Sequence, residues 1–317
     1  MKLKLFFDAS KSVAARLTDT FNFVWPTAAA IWNLRWQVNG LVSILPSITE
    51  PDLRARFVTG SGIIGANLRS ACLETSWEDQ QQQFAKFLLF ELCSLYETWC
   101  ELMVAELNLP DRLSKDLQFP TSSTSKGKNG IGYVLSHIDE HKSPTIDAAF
   151  GQPLKTNRKY SPHHIEQLLI CYRYFKEMRN LLIHGDKNLT APFIQAEKDF
   201  SALDAPSLGV SEMPKYNPSL PSSLPQLSLR GVVGFGEIIL KLVCTLDIEL
   251  SSTSFAQTNL AERWRSRYGE TPKMVAGRDK ARRARRIKIL VAELGLPKPE
   301  VTVEFESWLE QERLVFY

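Results

Sequence analysis

Arg179, Asn180 and His184 are the residues of this chain whose types and spacing best suit chemistry, in the order R-N-x-x-x-H. A histidine with a pKa near neutrality can move the proton of an RNA 2′-hydroxyl or protonate a leaving 5′-oxygen. Arginine presents a fixed fork of donors to a phosphate and to the charge that develops on it. Asparagine can orient the imidazole or the phosphate. Together, these side chains suit phosphodiester cleavage.

The spacing of these residues on a helix bears on how they could share a site. Asn180 and His184 are four residues apart and therefore neighbours on one face. Glu177 falls on about the same face and is a weaker candidate. Arg179 lies five residues before His184, ~140° around the axis, so the two would meet in a cleft shared with a second copy of the helix. The structural alternative is a surface arginine and a histidine that caps the last carbonyls.

The element that must position this group is an amphipathic helix predicted over residues 161–186. Ser161 is a suitable N-cap and Pro162 suits the first helical position. Gly185 can take the left-handed conformation that ends a helix, which places His184 in the last turn. The apolar positions recur at steps of three and four residues, and they are Ile165, Leu168, Leu169, Tyr172 and Phe175.

A second long helix precedes it. Ser76 followed by Asp79 resembles a capping box, and apolar residues keep a helical period from Phe84 to Leu107. A helix of about thirty residues needs comparable partners, which favours an all-α bundle. Residues 120–132 predict a mobile surface loop, residues 133–141 predict a short helix, and nothing between the long helices resembles a strand pair.

The flanking segments are also predicted to be largely helical. Residues 1–74 read as several helices separated by breakers, with Trp25, Trp32 and Trp36 forming a packing stripe in the core. Prolines in residues 190–227 indicate an irregular connection. Residues 229–250 predict a helix whose glycines allow another helix to approach closely.

A basic run lies between residues 273 and 288. Its cations are Lys273, Arg278, Lys280, Arg282, Arg283, Arg285, Arg286 and Lys288, against one acid, Asp279. Such a run attracts phosphates by releasing counterions, which makes Arg282, Arg283, Arg285 and Arg286 candidate RNA-binding residues. Equally, the run could be a helix face paired with the acidic C-terminal segment.

Patterns for metals and cofactors are weak in this chain. His137 and His141 are four apart, with Asp139 and Glu140 between them, but no H-E-x-x-H or paired-cysteine spacing is present. Neither a phosphate-binding loop, a nucleophile elbow nor a dinucleotide fingerprint occurs. The sequence therefore predicts no metal site and no cofactor.

Composition indicates a folded protein in a reducing compartment. The chain of 317 residues has a formal net charge of +3, too small to prove a polyanionic partner. Five cysteines without a C-x-x-C pair favour buried thiols and a cytoplasmic location. The N-terminus lacks the pattern of a signal peptide. Polar residues and Pro26 interrupt the apolar residues 21–45, so no membrane span is expected.

The motif and its setting resemble the HEPN domain (higher eukaryotes and prokaryotes nucleotide-binding). Residues 179–184, RNLLIH, match that family's R-x4-6-H motif, and the order of a long helix, a variable loop and a motif helix matches its layout. The resemblance covers residues 76–190. It implies a helical bundle that dimerises with its motifs facing each other and, in many members, a metal-independent endoribonuclease of toxin–antitoxin, anti-phage or CRISPR-associated systems. It implies catalytic roles for Arg179 and His184 and a supporting role for Asn180.

We therefore expect a HEPN-like bundle at residues 76–190, a helical extension at 1–75, and a proline-rich connection, packing helix and basic tail at 191–317. The expected activity is RNA cleavage by 2′-hydroxyl attack, with RNA and a second copy as partners. Other HEPN proteins lack nuclease activity, so the alternative is a non-catalytic RNA-binding or interaction module, an antitoxin partner or a scaffold of a defence complex.

Overall fold

The computed structural model describes residues 3–124, 127–184, 189–214, 227–275 and 279–317. This part of the chain is predominantly helical, which confirms the predicted all-α fold class. In chain order its α-helices are α1 (Asp8–Ile44), α2 (Glu50–Phe57), α3 (Trp77–Glu106), α4 (Arg112–Asp116), α5 (Ile131–Glu140), α6 (Pro144–Ile146), α7 (Gln152–Lys155), α8 (Ile165–His184), α9 (Ala191–Ser201), α10 (Leu229–Ser251), α11 (Ser254–Tyr268), α12 (Lys280–Glu293) and α13 (Val303–Gln311).

Four short strands accompany the helices: β1 (Ser122–Thr124), β2 (Gly127–Asn129), β3 (Lys273–Met274) and β4 (Val315–Phe316). β1 and β2 pair antiparallel within the segment predicted to be a loop, so the prediction of no strand pair between the long helices is wrong. β3 and β4 pair in parallel and bring the C-terminus beside the basic segment. Both pairs are two or three residues long, too short for strand periodicity to reveal them.

The centre of the fold is α3, which lies against α1, α8 and α10. The Ser76 hydroxyl accepts a hydrogen bond from the Asp79 amide at 3.0 Å, as the capping-box pattern predicts. Aromatic rings then join the helices: the centroids of Tyr96 and Tyr172 are 4.6 Å apart, and those of Phe175 and Phe235 are 4.4 Å apart. The two long helices that frame the motif are therefore packed on one shared core.

Helix α10 runs through the core and confirms the helix predicted at residues 229–250. At Gly236 a Cβ atom would come within 2.8 Å of the Phe21 ring, so glycine does permit the close approach of α1. Near the C-terminal end of α10, the carboxylate of the buried Asp247 accepts hydrogen bonds from the backbone amides of Phe6 and Phe7 at 2.8 and 3.0 Å. The chain start is thereby tied to the core by a carboxylate.

The predictions for the N-terminal segment were partly wrong. The segment does contain several helices, as predicted, and the first of them, α1, is 37 residues long and continues through Pro26, whose side chain is exposed. An exposed site lets water satisfy the carbonyl that proline leaves unpaired. Trp25, Trp32 and Trp36 are 48%, 40% and 64% exposed and are not core residues. The face opposite is buried instead, where Val38 packs with Leu53, Leu68 and Cys72 in a small second cluster.

The connection at residues 190–227 also contains an unpredicted helix. Thr190 caps α9 through the Phe193 amide, and Pro192 occupies its first turn. Phe193 and Phe200 contact the Tyr174 ring of α8, with centroids 5.7 and 4.5 Å away. The prolines of residues 215–226 lie outside the described residues.

The predicted segments share one apolar core, which includes residues from Leu5 to Val315. The division at residues 75 and 190 stays a prediction. Within the described ranges, no helix combines the length and the apolar composition needed to cross a bilayer. All five cysteines are buried with free thiols, as their apolar contexts predict.

Candidate functional site

The motif helix begins differently from its prediction. Pro162–His164 forms a 3-10 turn that leads directly into α8. The Ser161 hydroxyl does not cap a backbone amide, because it lies 2.9 Å from Nδ1 of His164 instead. The five predicted apolar positions of the helix are all buried, which confirms its inward face. The predicted terminating residue Gly185, together with Asp186, lies outside the described residues.

The outward face of α8 carries the polar residues of the motif. Glu177 and Asn180 are partly exposed, and Ile183 and His184 at the end of the helix are exposed. Asn180 Nδ2 donates to Glu177 Oε2 at 3.4 Å, so these two residues do share a face. For the side chain of His184, no hydrogen bond or ion pair to another described residue is found. Its imidazole is thus open to a substrate or to a partner.

Arg179 lies against α3 and not on the outward face. Its Nη2 donates to Oε1 of Glu97 at 2.6 Å, and its side chain is only 19% exposed. The Nε group is buried and has no hydrogen-bond partner in the described part of the chain. Because Arg179 and His184 are five residues apart on α8, they are separated by ~7.5 Å along the helix axis and by ~140° around it.

Glu97 is a site residue that sequence reasoning missed. Its Oε1 also lies 2.9 Å from Lys176 Nζ, so one carboxylate joins two cations of α8. Lys176 in turn donates to Gln118 Oε1 at 2.6 Å and lies 5.4 Å from the centre of the Phe119 ring. The available signal was that Glu97 is the single charged residue between Leu92 and Cys100 of an apolar helix.

The surroundings of Glu97 exclude a thiol as a nucleophile. Burial raises the pKa of Cys93 to about 12, although the nearby Arg179 lowers it in part. Burial likewise raises the pKa of Cys100 well above its ordinary value. Both thiols therefore stay protonated near neutral pH and are inert. The groups able to act on a substrate here are the imidazole of His184, the guanidinium of Arg179 and the amide of Asn180.

Some arginines of the basic run are exposed, as the RNA-binding interpretation requires, and one pairs with the acidic C-terminal segment, as the other interpretation predicted. Arg282, Arg285 and Arg286 are exposed on α12, and Asp279 caps this helix through the Ala281 amide at 2.9 Å. Arg283 is different, because it lies 3.7 Å from Glu306 of α13 with an 18% exposed side chain, and its guanidinium covers the Tyr317 ring. For Arg283 the acidic C-terminal segment is thus an ion-pair partner. Arg278 lies outside the described residues.

One cluster on α5 could hold a metal ion. Donor atoms of His137, Glu140 and His141 lie within 4.8 Å of one another. No metal site was predicted here, because no H-E-x-x-H or paired-cysteine spacing is present, although Asp139 and Glu140 lie between the two histidines. The third donor is the exposed Glu140 at the end of the helix.

No protein-family model, curated protein or solved structure matches this chain. A function can therefore be proposed only from its sequence, its fold and the geometry of the site.

Proposed function

We propose that this protein is a metal-independent endoribonuclease, with its active site at the C-terminal end of α8. The observation that carries the proposal is the R-N-x-x-x-H sequence at the end of a core helix, with His184 exposed and Arg179 held by a carboxylate of the adjacent long helix. The resemblance of this motif to that of HEPN ribonucleases supports the same activity. His184 is the residue that combines proton-transfer chemistry with access to RNA.

The roles follow from the side chains. His184 takes the proton of the 2′-hydroxyl or gives one to the leaving 5′-oxygen, while the 2′-oxygen attacks phosphorus and leaves a 2′,3′-cyclic phosphate. Arg179 donates to the phosphate as its charge develops, from an orientation fixed by Glu97. Asn180 supports the orientation of the imidazole or the phosphate, and Glu177 contacts Asn180.

A dimer through the motif helices would complete this site. Arg179 and His184 of one chain diverge around the axis of α8, so a cleft between two chains can combine the arginine of one with the histidine of the other. Ile183, beside the motif, is 53% exposed, which is consistent with burial in such a contact. An antitoxin or another component of a defence complex could instead cover this surface in the inactive state.

The second candidate is a non-catalytic RNA-binding module, favoured by the exposed Arg282, Arg285 and Arg286 of α12. The two functions differ in what happens to the RNA. We expect end-labelled RNA incubated with the full chain in excess EDTA to be cut, with products that carry 2′,3′-cyclic phosphates. Cleavage that EDTA abolishes would contradict the proposal, and salt-sensitive binding of intact RNA would favour the module.

Replacing Arg282, Arg285 and Arg286 together with alanine should weaken RNA binding and reduce its dependence on salt. Each lost phosphate contact lowers the slope of log K against log salt by about 0.7 for a single strand, so the triple variant should lose about 2. Fluorescence anisotropy at several salt concentrations measures this slope. Arg283→Ala is the matched control and should leave the slope unchanged, because Glu306 already engages that side chain. An unaltered slope in the triple variant would show that α12 does not contact RNA.

A further inference from the structure

The C-terminal end of α5 brings three metal-ligating side chains together, on a different helix from the motif of α8. His137 and His141 are one helical turn apart, with ring centroids 4.3 Å from each other and the rings inclined by 50°. Glu140 adds a carboxylate, and the donor atoms of the three side chains all lie within 4.8 Å of one another. Ligands bound to one metal ion at about 2 Å are separated by about 3–4 Å, so small rotations would suffice.

The imidazole of His141 is oriented by a backbone contact. Its Nδ1 lies 2.9 Å from the carbonyl oxygen of His137. Because a carbonyl can only accept, this contact places the proton on Nδ1 and leaves the lone pair of Nε2 available. A hydrogen bond of this kind between the second ring nitrogen and a carbonyl accompanies most metal-bound histidines.

His137 is held in place by aromatic rings. Tyr133 stacks on one side at 6.3 Å between centroids, and Phe255 of α11 contacts the imidazole at 5.6 Å. Its Nε2 is buried and has no hydrogen-bond partner in the described part of the chain.

The charges around the cluster leave Glu140 available. The neighbouring Asp139 is paired with Lys142 at 2.7 Å, and the guanidinium of Arg112 covers the Tyr133 ring at 3.9 Å. Glu140 is exposed, with no ion pair to a described residue. All three donors lie at the C-terminal end of α5, where the helix dipole favours a cation.

We propose that His137, Glu140 and His141 bind a divalent transition-metal ion, for which zinc is the best match. Two imidazoles and one carboxylate suit zinc, and a fourth position remains open to water or to a ligand from another molecule. Two of the ligands lie in the last turn of α5 and His141 is its C-cap residue, so the ion adds a binding site to the surface and does not cross-link distant parts of the chain. This site is independent of the proposed ribonuclease, which needs no metal.

Titration of the metal-free full chain with zinc, in competition with a chromophoric chelator, tests this site. We expect one equivalent to bind to the parent, and at least about tenfold weaker binding to Glu140→Gln and to His141→Gln, since each removes one of three ligands. His163→Gln is the control, because this histidine is exposed on the turn before α8, and it should bind zinc as the parent does.

Cobalt gives a second readout, because visible absorption bands report a tetrahedral site with nitrogen and oxygen ligands. The bands should form with the parent and with His163→Gln and be lost in Glu140→Gln. Circular dichroism checks folding, and the exposed position of Glu140 means that its substitution removes no core contact. The absence of stoichiometric zinc binding by the parent, or equal binding by the Glu140 and His141 variants, would overturn the proposal.

Discussion

Replacing His184 with alanine should lower the rate of RNA cleavage by about a hundredfold or more, the usual contribution of a general acid or base. The imidazole is exposed at the last residue of α8, so its removal costs no buried contact and the chain should remain folded. Initial rates on labelled RNA measure the effect, and thermal unfolding followed by circular dichroism confirms the fold.

His163→Ala is the matched control for this substitution. His163 is also exposed and adjoins the same helix, but it lies at the opposite end, about twenty residues away or ~30 Å along the axis. Its replacement should leave the cleavage rate unchanged. If the folded His184→Ala protein cuts RNA about as fast as His163→Ala, His184 is not the proton-transfer residue.

The same substitution can show whether two chains build each site. In a mixture of His184→Ala and Arg179→Ala chains, a heterodimer keeps one cleft that has the arginine of one chain and the histidine of the other. Half of the dimers in a random mixture are of this kind, so up to about a quarter of the parental rate should return. No recovery in a mixture shown to exchange subunits would indicate that Arg179 and His184 act within one chain.

The long elements of this fold were predictable because each carries its own local signals. For α3, the Ser76 cap and an apolar period over many turns are both sequence-local, and the structure confirms them. The buried face of α8 was predictable for the same reason. Such predictions need no knowledge of which helix lies opposite, since burying an apolar stripe determines which side faces inward.

The features that were missed depend on residues far apart in the chain. Trp32 and Trp36 have helical spacing, but the location of the core relative to α1 decides which face is buried, and that face holds Val38. The ion pair of Arg179 with Glu97 joins residues 82 positions apart. The third donor beside His137 and His141 is different, because Glu140 is close to both in sequence and only the side-chain rotamers at the end of α5 bring its carboxylate to the two imidazoles.

The helix that carries Arg179 and His184 could be predicted from the sequence, but the contacts of Arg179 could not, and the roles of both residues stay a prediction. The motif predicted Arg179 and His184 from their types and order, and helix geometry predicted that they diverge. It could not predict that Glu97 would pair with both Arg179 and Lys176, because these contacts form only when α3 and α8 pack together. A substrate phosphate would meet an arginine whose position is already restrained, which reduces the ordering that binding requires.

Replacing Asp247 with alanine should lower the free energy of unfolding by about 2–6 kcal/mol, since two buried amides then lose their acceptor at about 1–3 kcal/mol each. Asp247 is fully buried on α10, and its two oxygens accept from the amides of Phe6 and Phe7. No water can replace the carboxylate without entering the core. Urea unfolding followed by circular dichroism measures the loss, and a loss below about 1 kcal/mol, the net worth of one ordinary hydrogen bond, would contradict this account.

Asp247→Asn removes the ionisation of this carboxylate, although the asparagine oxygen can accept from only one of the two backbone amides. Burial raises the pKa of Asp247 to about 6, although the hydrogen bonds from Phe6, Ser10 and Phe7 lower it in part. Because the unfolded chain has the ordinary value near 3.8, the folded state binds the proton more tightly, and ionisation costs stability as the pH rises from about 4 to above 6.

The difference between the folded and unfolded pKa values of Asp247 is equivalent to about 3 kcal/mol. The stability of the parent relative to Asp247→Asn should therefore fall by about 2–2.5 kcal/mol between pH 4 and pH 7, because the unfolded carboxyl is already partly ionised at pH 4 and asparagine does not titrate. A difference that stays constant across this range would show that Asp247 ionises in the folded protein as easily as in the unfolded chain.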